Sequence, residues 1–176
     1  MKVLVVGSGG REHVLCWKLA QSSKISKLYC IPGNGGIESV AECIDIKSDN
    51  LNEIVNFSIK KNIDLAVIGP EAPLVEGLAD KLAENNIKVF GPEKSGAKLE
   101  GSKIYSKEFM EKYDIPTAKY KKFNNSYKAK EALKDFKPPY VVKADGLAAG
   151  KGVLICYNIE EGKRAIEEIM EDKNFG

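Results

Sequence analysis

Short apolar runs that each close on a glycine-rich or Gly-Pro turn alternate with amphipathic stretches through the first 91 residues. Residues 3–6 run into Gly7-Ser8-Gly9-Gly10, and residues 27–31 run into Pro32-Gly33-Asn34-Gly35-Gly36. Residues 64–68 end at Gly69-Pro70, and residues 87–90 at Gly91-Pro92. Runs this short and this apolar read as strands buried on both faces. Residues 43–46 add a short third strand. Between the strands, residues 12–21 offer Val14, Leu15, Trp17 and Leu19 as the apolar face of a helix. Asp49 or Asn50 caps a second helix carrying Leu51, Ile54, Val55 and Ile59. Leu74, Val75, Leu78, Ala79, Leu82 and Ala83 are spaced as one helical face. Such alternation builds right-handed βαβ units, hence an open parallel sheet with helices on both sides. The turns then fall at the carboxyl ends of the strands, the edge where such sheets bind ligands.

After residue 90 the pattern changes. Residues 102–113 read as a helix ended by Asp114-Ile115-Pro116, and residues 117–123 alternate like a strand. Residues 126–136 read as a helix with Tyr127, Ala129, Leu133 and Phe136 inward, broken by Pro138-Pro139. Asn158 and Glu161 form a cap-and-N3 pair opening a last helix whose core side carries Ile159, Ile166, Ile169 and Met170. This is a second, smaller α+β module, and a two-stranded ribbon within it is marginal unless more strands cover it.

The ribbon is the segment YVVKADGLAAGKGVLICY, residues 140–157. Its loop carries Gly146, Gly150 and Gly152, with Lys143 before it and Lys151 within it. Glycines let backbone N–H groups approach an anion, and lysines add charge, a combination suited to a polyphosphate. The Walker A pattern fails: the spacing is one residue short, and Gly152 stands where the Mg²⁺-binding hydroxyl belongs. A strand follows rather than a helix. The loop is therefore expected to be a flap between strands, mobile without nucleotide; the plain alternative is a long glycine-rich hairpin turn.

The first glycine loop follows a strand and opens a helix, so its amides and the helix dipole face an anion. A dinucleotide fingerprint needs glycine at position 12, where Glu12 stands, and an acid at the end of the second strand, where the chain reads Ile31-Pro32-Gly33-Asn34. A single sugar phosphate fits better than NAD, with Arg11 as a bidentate clamp. His13, the single histidine, reads as a packing or capping residue near the helix start. The four cysteines form no C-x-x-C pair and lie in apolar stretches, which suits buried free thiols in a reducing cytoplasm. Residues 1–100 carry 12 basic and 13 acidic groups, and the net charge of the whole chain is +2. Neither nucleic acid nor a membrane is expected as partner.

Taken in order, VLVVGSGGREHVLCWKL, IPGNGG, VIGPEAPLVEGLAD, VFGP, LEGSKIYSKEFM, IPTA and VVKADGLAAGKGV closely resemble the phosphoribosylamine–glycine ligases of purine biosynthesis. The resemblance runs from Met1 to Gly176. It implies a Rossmann-like pre-ATP-grasp domain over residues 1–100, a linker helix and the start of the ATP-grasp A domain over 101–120, and an incomplete α+β ATP-grasp B domain over 121–176. It implies ATP-dependent ligation of glycine to 5-phosphoribosylamine through a glycyl phosphate, with ATP and Mg²⁺ or Mn²⁺, in the cytoplasm. By the same resemblance Lys103 and Lys143 hold ATP phosphates, and Gly146, Gly150, Lys151 and Gly152 form the flap. Gly9, Gly10, Arg11 and Glu12 match the ribotide loop. Pro32, Gly33, Asn34, Gly69, Pro70 and Glu71 share its sheet edge, where Glu71 is placed to bond ribose hydroxyls. The family is more than twice this length, and its metal ligands fall after the point where the sequence stops. The expectation is an N-terminal piece without turnover of its own. The alternatives are a non-catalytic sugar-phosphate module and, against the glycine pattern, a nucleotide-dependent oxidoreductase.

Overall fold

The structure, a computed structural model, describes residues 1–148 and 151–172. It divides into two units, Met1–Lys98 and Leu99–Gly176.

The first unit alternates as the sequence demands. In order it runs β1 (Lys2–Gly7), α1 (Gly10–Ala20), β2 (Lys27–Pro32), β3 (Glu42–Cys43), α2 (Leu51–Lys61), β4 (Leu65–Ile68), α3 (Glu71–Val75), α4 (Leu78–Glu84) and β5 (Lys88–Phe90). The strands form one five-stranded sheet in the order β3-β2-β1-β4-β5, every pair parallel. β1 is central because it is apolar on both faces. Leu4 and Val6 pack with Ile54, Leu78 and Leu82 under α2 and α4, while Val3 and Val5 pack with Cys16 under α1. The chain thus winds to one side of β1 through β2 and β3, then crosses to the other side through β4 and β5. The switch point lies between the carboxyl ends of β1 and β4.

Several local expectations are corrected. Val14 and Trp17 are 63% and 54% exposed, and the buried stripe of α1 is Glu12 and Cys16 at i and i+4, flanked by the half-buried Leu15 and Leu19. Ile59 likewise turns outward, and Ser58 takes the buried place in α2, its hydroxyl donating to the Ile54 carbonyl at 2.7 Å. The single helical face expected over 74–83 is two helices, because Gly77 takes a φ of 91° that an L side chain rarely adopts. β3 is two residues long and lies slightly earlier than expected. Asn50 is the cap of α2, accepting from the Glu53 amide.

In the second unit, α5 (Lys94–Gly101) leads in from the first, followed by α6 (Lys103–Lys112), α7 (Ser126–Glu131) and a 3₁₀ turn over Ala132–Asp135. The antiparallel ribbon β6 (Tyr140–Lys143) and β7 (Val153–Cys156) comes next, then α8 (Ile159–Met170). Ala129, Leu133, Tyr140, Cys156, Ala165 and Ile166 form its small core. Residues 117–123 are not a strand. They are held by side chains of α6 instead of by a neighbouring strand: Lys107 donates to Thr117 and the Ala118 carbonyl, Tyr120 to Glu111, and Lys122 pairs with Glu108. Tyr127 and Ile159 are exposed, since α7 turns Ala129, and α8 turns Gly162, Ala165 and Ile166, toward the core. The helices cover one face of the ribbon; Val141, Val153 and Ile155 stand exposed on the other with Lys143.

Candidate functional site

The residues expected to bind a ribotide converge on the switch point. β1 delivers Gly7 and the loop into α1, β4 delivers Gly69, Pro70 and Glu71, and β2 delivers Pro32, Gly33 and Asn34 alongside. The Gly33 amide donates to the Gly7 carbonyl at 3.2 Å, and the Gly69 amide to the Val6 carbonyl at 3.0 Å.

Glu12 lies inside this edge, 4% exposed. Its carboxylate accepts from the Gly9 amide at 2.7 Å and from Arg11 Nε at 3.0 Å. A Cβ on Gly7 would lie 2.5 Å from Glu12 Cγ, and one on Gly69 would lie 2.1 Å from its Oε1. Both glycines are therefore required for side-chain room, beyond any turn geometry. Glu12 holds the loop from beneath, its carboxylate turned inward onto the Gly9 amide and Arg11. The Gly9 amide, spent on Glu12, leaves the amides of Gly10, Arg11 and Glu12 at the first turn of α1 without an acceptor among the described residues.

Arg11 is half exposed. Besides Glu12 it reaches Glu71, with Nη1 at 3.3 Å from Oε1. These two hydrogen bonds, Glu12 first, raise its guanidinium above the usual value. Glu71 opens α3; its own backbone amide, then Arg11 against partial burial, holds its carboxyl below the usual range. Asn34 is committed to the turn: Nδ2 donates to the Ser8 carbonyl at 2.7 Å, and Oδ1 accepts from the amides of Gly36 and Ile37. His13 packs against Gly36. Beneath the same edge the thiols of Cys16, Cys30 and Cys43 are free, and Cys30 donates to the Gly7 carbonyl at 3.4 Å.

The nucleotide candidates of the second unit meet at the end of β6. Lys103, the first residue of α6, donates from Nζ to the Gly146 carbonyl at 2.6 Å. Lys143 ends β6 opposite Val153, exposed, on the uncovered face of the ribbon. The Gly152 carbonyl accepts from the Ala144 amide at 2.9 Å, which extends the ladder one step past β6. Lys151 is exposed. Gly150 and part of the expected flap lie outside the described residues.

Asp145 and Ser102 are the residues that motif reading missed. The Asp145 carboxylate accepts from the Ser102 hydroxyl at 3.1 Å and from the Ile104 amide at 3.1 Å. The Ser102 oxygen in turn accepts from the Tyr105 amide. Burial works to raise the Asp145 carboxyl, yet the Ile104 amide, the Ser102 hydroxyl and the amides of Gly146 and Lys103 together bring it below the usual aspartate value. A carboxylate of the chain itself thus occupies the start of α6. An Asp before a Gly reads as ordinary turn chemistry; the one available signal was a capped helix whose first amides needed an acceptor.

Among the described residues no three His, Cys, Asp or Glu side chains are arranged to hold a metal ion, and no helix is long and apolar enough to cross a membrane.

Comparison with known proteins gives one family for both units. The N domain of phosphoribosylglycinamide synthetase matches residues 1–100, and its ATP-grasp (A) domain matches residues 101–176. A phosphoribosylamine–glycine ligase of Clostridium acetobutylicum is 49% identical over 97% of the chain and 41% of its own length. One from Brucella melitensis is 51% identical over 97% of the chain and 40% of its own length. The crystal structure of the Thermotoga maritima phosphoribosylamine–glycine ligase superposes with a TM-score of 0.76 at 36% identity, covering 93% of this chain and 38% of that one. The chain spans about two fifths of the length of the curated relatives it matches. It belongs to the phosphoribosylglycinamide synthetase family, matching first its N domain and then its ATP-grasp domain.

Proposed function

We propose that this chain supplies the ribotide-binding domain and part of the nucleotide-binding domain of an ATP-dependent ligase that joins glycine to 5-phosphoribosylamine in the cytoplasm. The observation that carries the ribotide half is the switch-point edge. There, three open amides at the start of α1 stand beside the half-exposed Arg11 and Glu71. A phosphate at the amides is stabilised by the helix dipole and by Arg11. Glu71 lies within reach of Arg11, so a ribose seated next to the phosphate meets its carboxylate. The nucleotide half rests on Lys103 and Lys143 at one end of the ribbon, beside the apolar face formed by Val141, Val153 and Ile155.

In the reaction, a glycine carboxylate oxygen attacks the γ-phosphorus of ATP, ADP leaves, and glycyl phosphate results. The amine of phosphoribosylamine attacks the acyl carbon, phosphate leaves, and the nitrogen gives up a proton. The work of this chain is to hold the ribotide by its phosphate and to offset charge on the ATP phosphates with lysines. Magnesium accompanies ADP in one structural neighbour, a biotin carboxylase domain 25% identical whose structure contains MgADP. Among the described residues no three His, Cys, Asp or Glu side chains are grouped to hold the ion.

The test is calorimetry with ribose 5-phosphate, ATP and NAD on the full-length ligase. Ribose 5-phosphate and ATP bind, and NAD does not. Arg11→Ala weakens ribose 5-phosphate by roughly 10- to 150-fold, the value of a charge-assisted hydrogen bond. NAD binding more tightly than ribose 5-phosphate would sink the ligase reading in favour of an oxidoreductase. An unchanged Arg11→Ala affinity would move the ribotide away from this edge.

A further inference from the structure

We infer that Asp145 is a positioning residue for the nucleotide phosphates, acting through Lys103; this rests on the reading of Lys103 as an ATP-phosphate lysine. The Asp145 carboxylate ties residues 43 positions apart in the chain: it accepts from the Ser102 hydroxyl and the Ile104 amide, which flank Lys103 on either side. One residue beyond Asp145, the Gly146 carbonyl receives the Lys103 ammonium at 2.6 Å. The two ends of the lysine are thus fixed by one short segment. Asp145 sets where its backbone starts, and the carbonyl next to Asp145 sets where its ammonium ends. A free lysine side chain loses rotamer entropy when it is immobilised on a ligand. Here that loss is met on folding, so a phosphate entering the site exchanges one acceptor for another at an ammonium already in place.

Two consequences set Asp145 apart from an ordinary cap. First, its carboxylate occupies the anion position at the start of α6, so the Ile104 amide is not a donor for phosphate. Any phosphate contact there depends on the Lys103 side chain. Second, loss of the Asp145 carboxylate acts on the phosphate part of nucleotide affinity and not on the base part.

The experiment is a double-mutant cycle on the full-length ligase, with ATP and adenosine binding read by calorimetry. Lys103→Ala weakens ATP by roughly 10- to 150-fold. Asp145→Asn weakens ATP by about tenfold and leaves adenosine unchanged, and it adds nothing further in the Lys103→Ala background. Ser102→Ala, which keeps the carboxylate but removes one donor, gives a smaller loss that also vanishes beside Lys103→Ala. It decides the matter if Asp145→Asn does not fold. If Lys103→Ala leaves ATP affinity unchanged, the nucleotide reading of Lys103 fails, and the role of Asp145 with it. If Lys103→Ala weakens ATP while Asp145→Asn has no effect, adds fully to it, or weakens adenosine equally, that reading stands and the positioning role is overturned.

Discussion

Replacing Gly69 by alanine puts a methyl carbon where the Glu12 carboxylate lies. The added Cβ would sit 2.1 Å from Oε1, 2.6 Å from Cδ and 2.7 Å from Cγ of Glu12. None of these atoms has room to retreat, because Glu12 is 4% exposed and a Cβ on Gly7 would already meet its Cγ at 2.5 Å. The carboxylate must give up its contacts with the Gly9 amide at 2.7 Å and Arg11 at 3.0 Å, or the β4 turn must move. Overpacking of this kind costs about 1–3 kcal/mol. Loss of a hydrogen bond to a charged group costs about 1.5–3 kcal/mol more where the charge stays buried. The expected destabilisation is therefore about 3 kcal/mol or above, a large part of the stability of a domain this size. Gly10→Ala is the internal control, since nothing lies within 4 Å of its added Cβ and it starts a helix; it should be neutral or stabilising by up to about 1 kcal/mol. Urea unfolding followed by Trp17 fluorescence reports on the first unit, because the chain has one tryptophan and it lies on α1. In an Glu12→Ala background the obstructing atoms are gone, so Gly69→Ala should cost far less than it does beside Glu12. Equal costs for Gly69→Ala and Gly10→Ala, or a Gly69→Ala cost unchanged by removing Glu12, would refute the account of this edge.

Lys143→Ala in the full-length ligase should reduce ATP affinity more than Lys151→Ala, by roughly 1.5–3 kcal/mol for the loss of one charge-assisted contact, because Lys143 sits on a strand with a fixed direction; a larger loss at Lys151 in a side-by-side titration reverses the assignment. The Asp145 carboxyl is lowered in the folded chain, so its contribution to stability is fully present above the unfolded aspartate value of about 3.9 and is lost as pH falls through the folded value. Acid unfolding of Asp145→Asn should accordingly show lower stability at neutral pH and a shallower decline below about pH 4, and an acid limb parallel to that of the unsubstituted chain counts against this linkage.

The sheet was legible because its strands are short, apolar and punctuated. Val3–Val6 read as a doubly covered strand, Asn158 read as a cap, and the cap of α2 was narrowed to Asp49 or Asn50, of which Asn50 takes the place. What escaped was decided by contacts far apart in sequence. The inward places on α1 and α2 went to Glu12 and Ser58 over Trp17 and Ile59, since a polar side chain with its partners already in place is tolerated inside. Residues 117–123 carry a strand pattern, but a strand needs another strand, and α6 offers lysines and glutamates. Candidate site residues expected to act through their backbone or charge, such as Gly10, Arg11 and Lys103, could be named from motifs and the family resemblance. That Glu12 turns inward was not legible, and Asp145 was not named at all, because neither pattern says which carboxylate turns inward.

The starts of α1 and α6 are each held by such a carboxylate, and on the proposed function this bears on how each would meet a phosphate. A sequence pattern offers every amide of a loop or helix start to the ligand. The fold withdraws some of them: Gly9 gives its amide to Glu12, and Ile104 in the first turn of α6 gives its amide to Asp145. At each helix start the internal anion is in place before any ligand arrives, so less of the ordering cost there falls on binding. At α1 the withdrawal is partial. Three amides stay open beside Arg11, and recognition there depends on how closely the backbone can be approached, hence on small residues at Gly7 and Gly69. At α6 the carboxylate takes the helix start itself, and what remains is a lysine held ready on a carbonyl. The ribotide edge should then be sensitive to volume at its glycines as well as to the charge of Arg11. The nucleotide end should tolerate volume and fail when the ammonium of Lys103 is removed or left without its anchor.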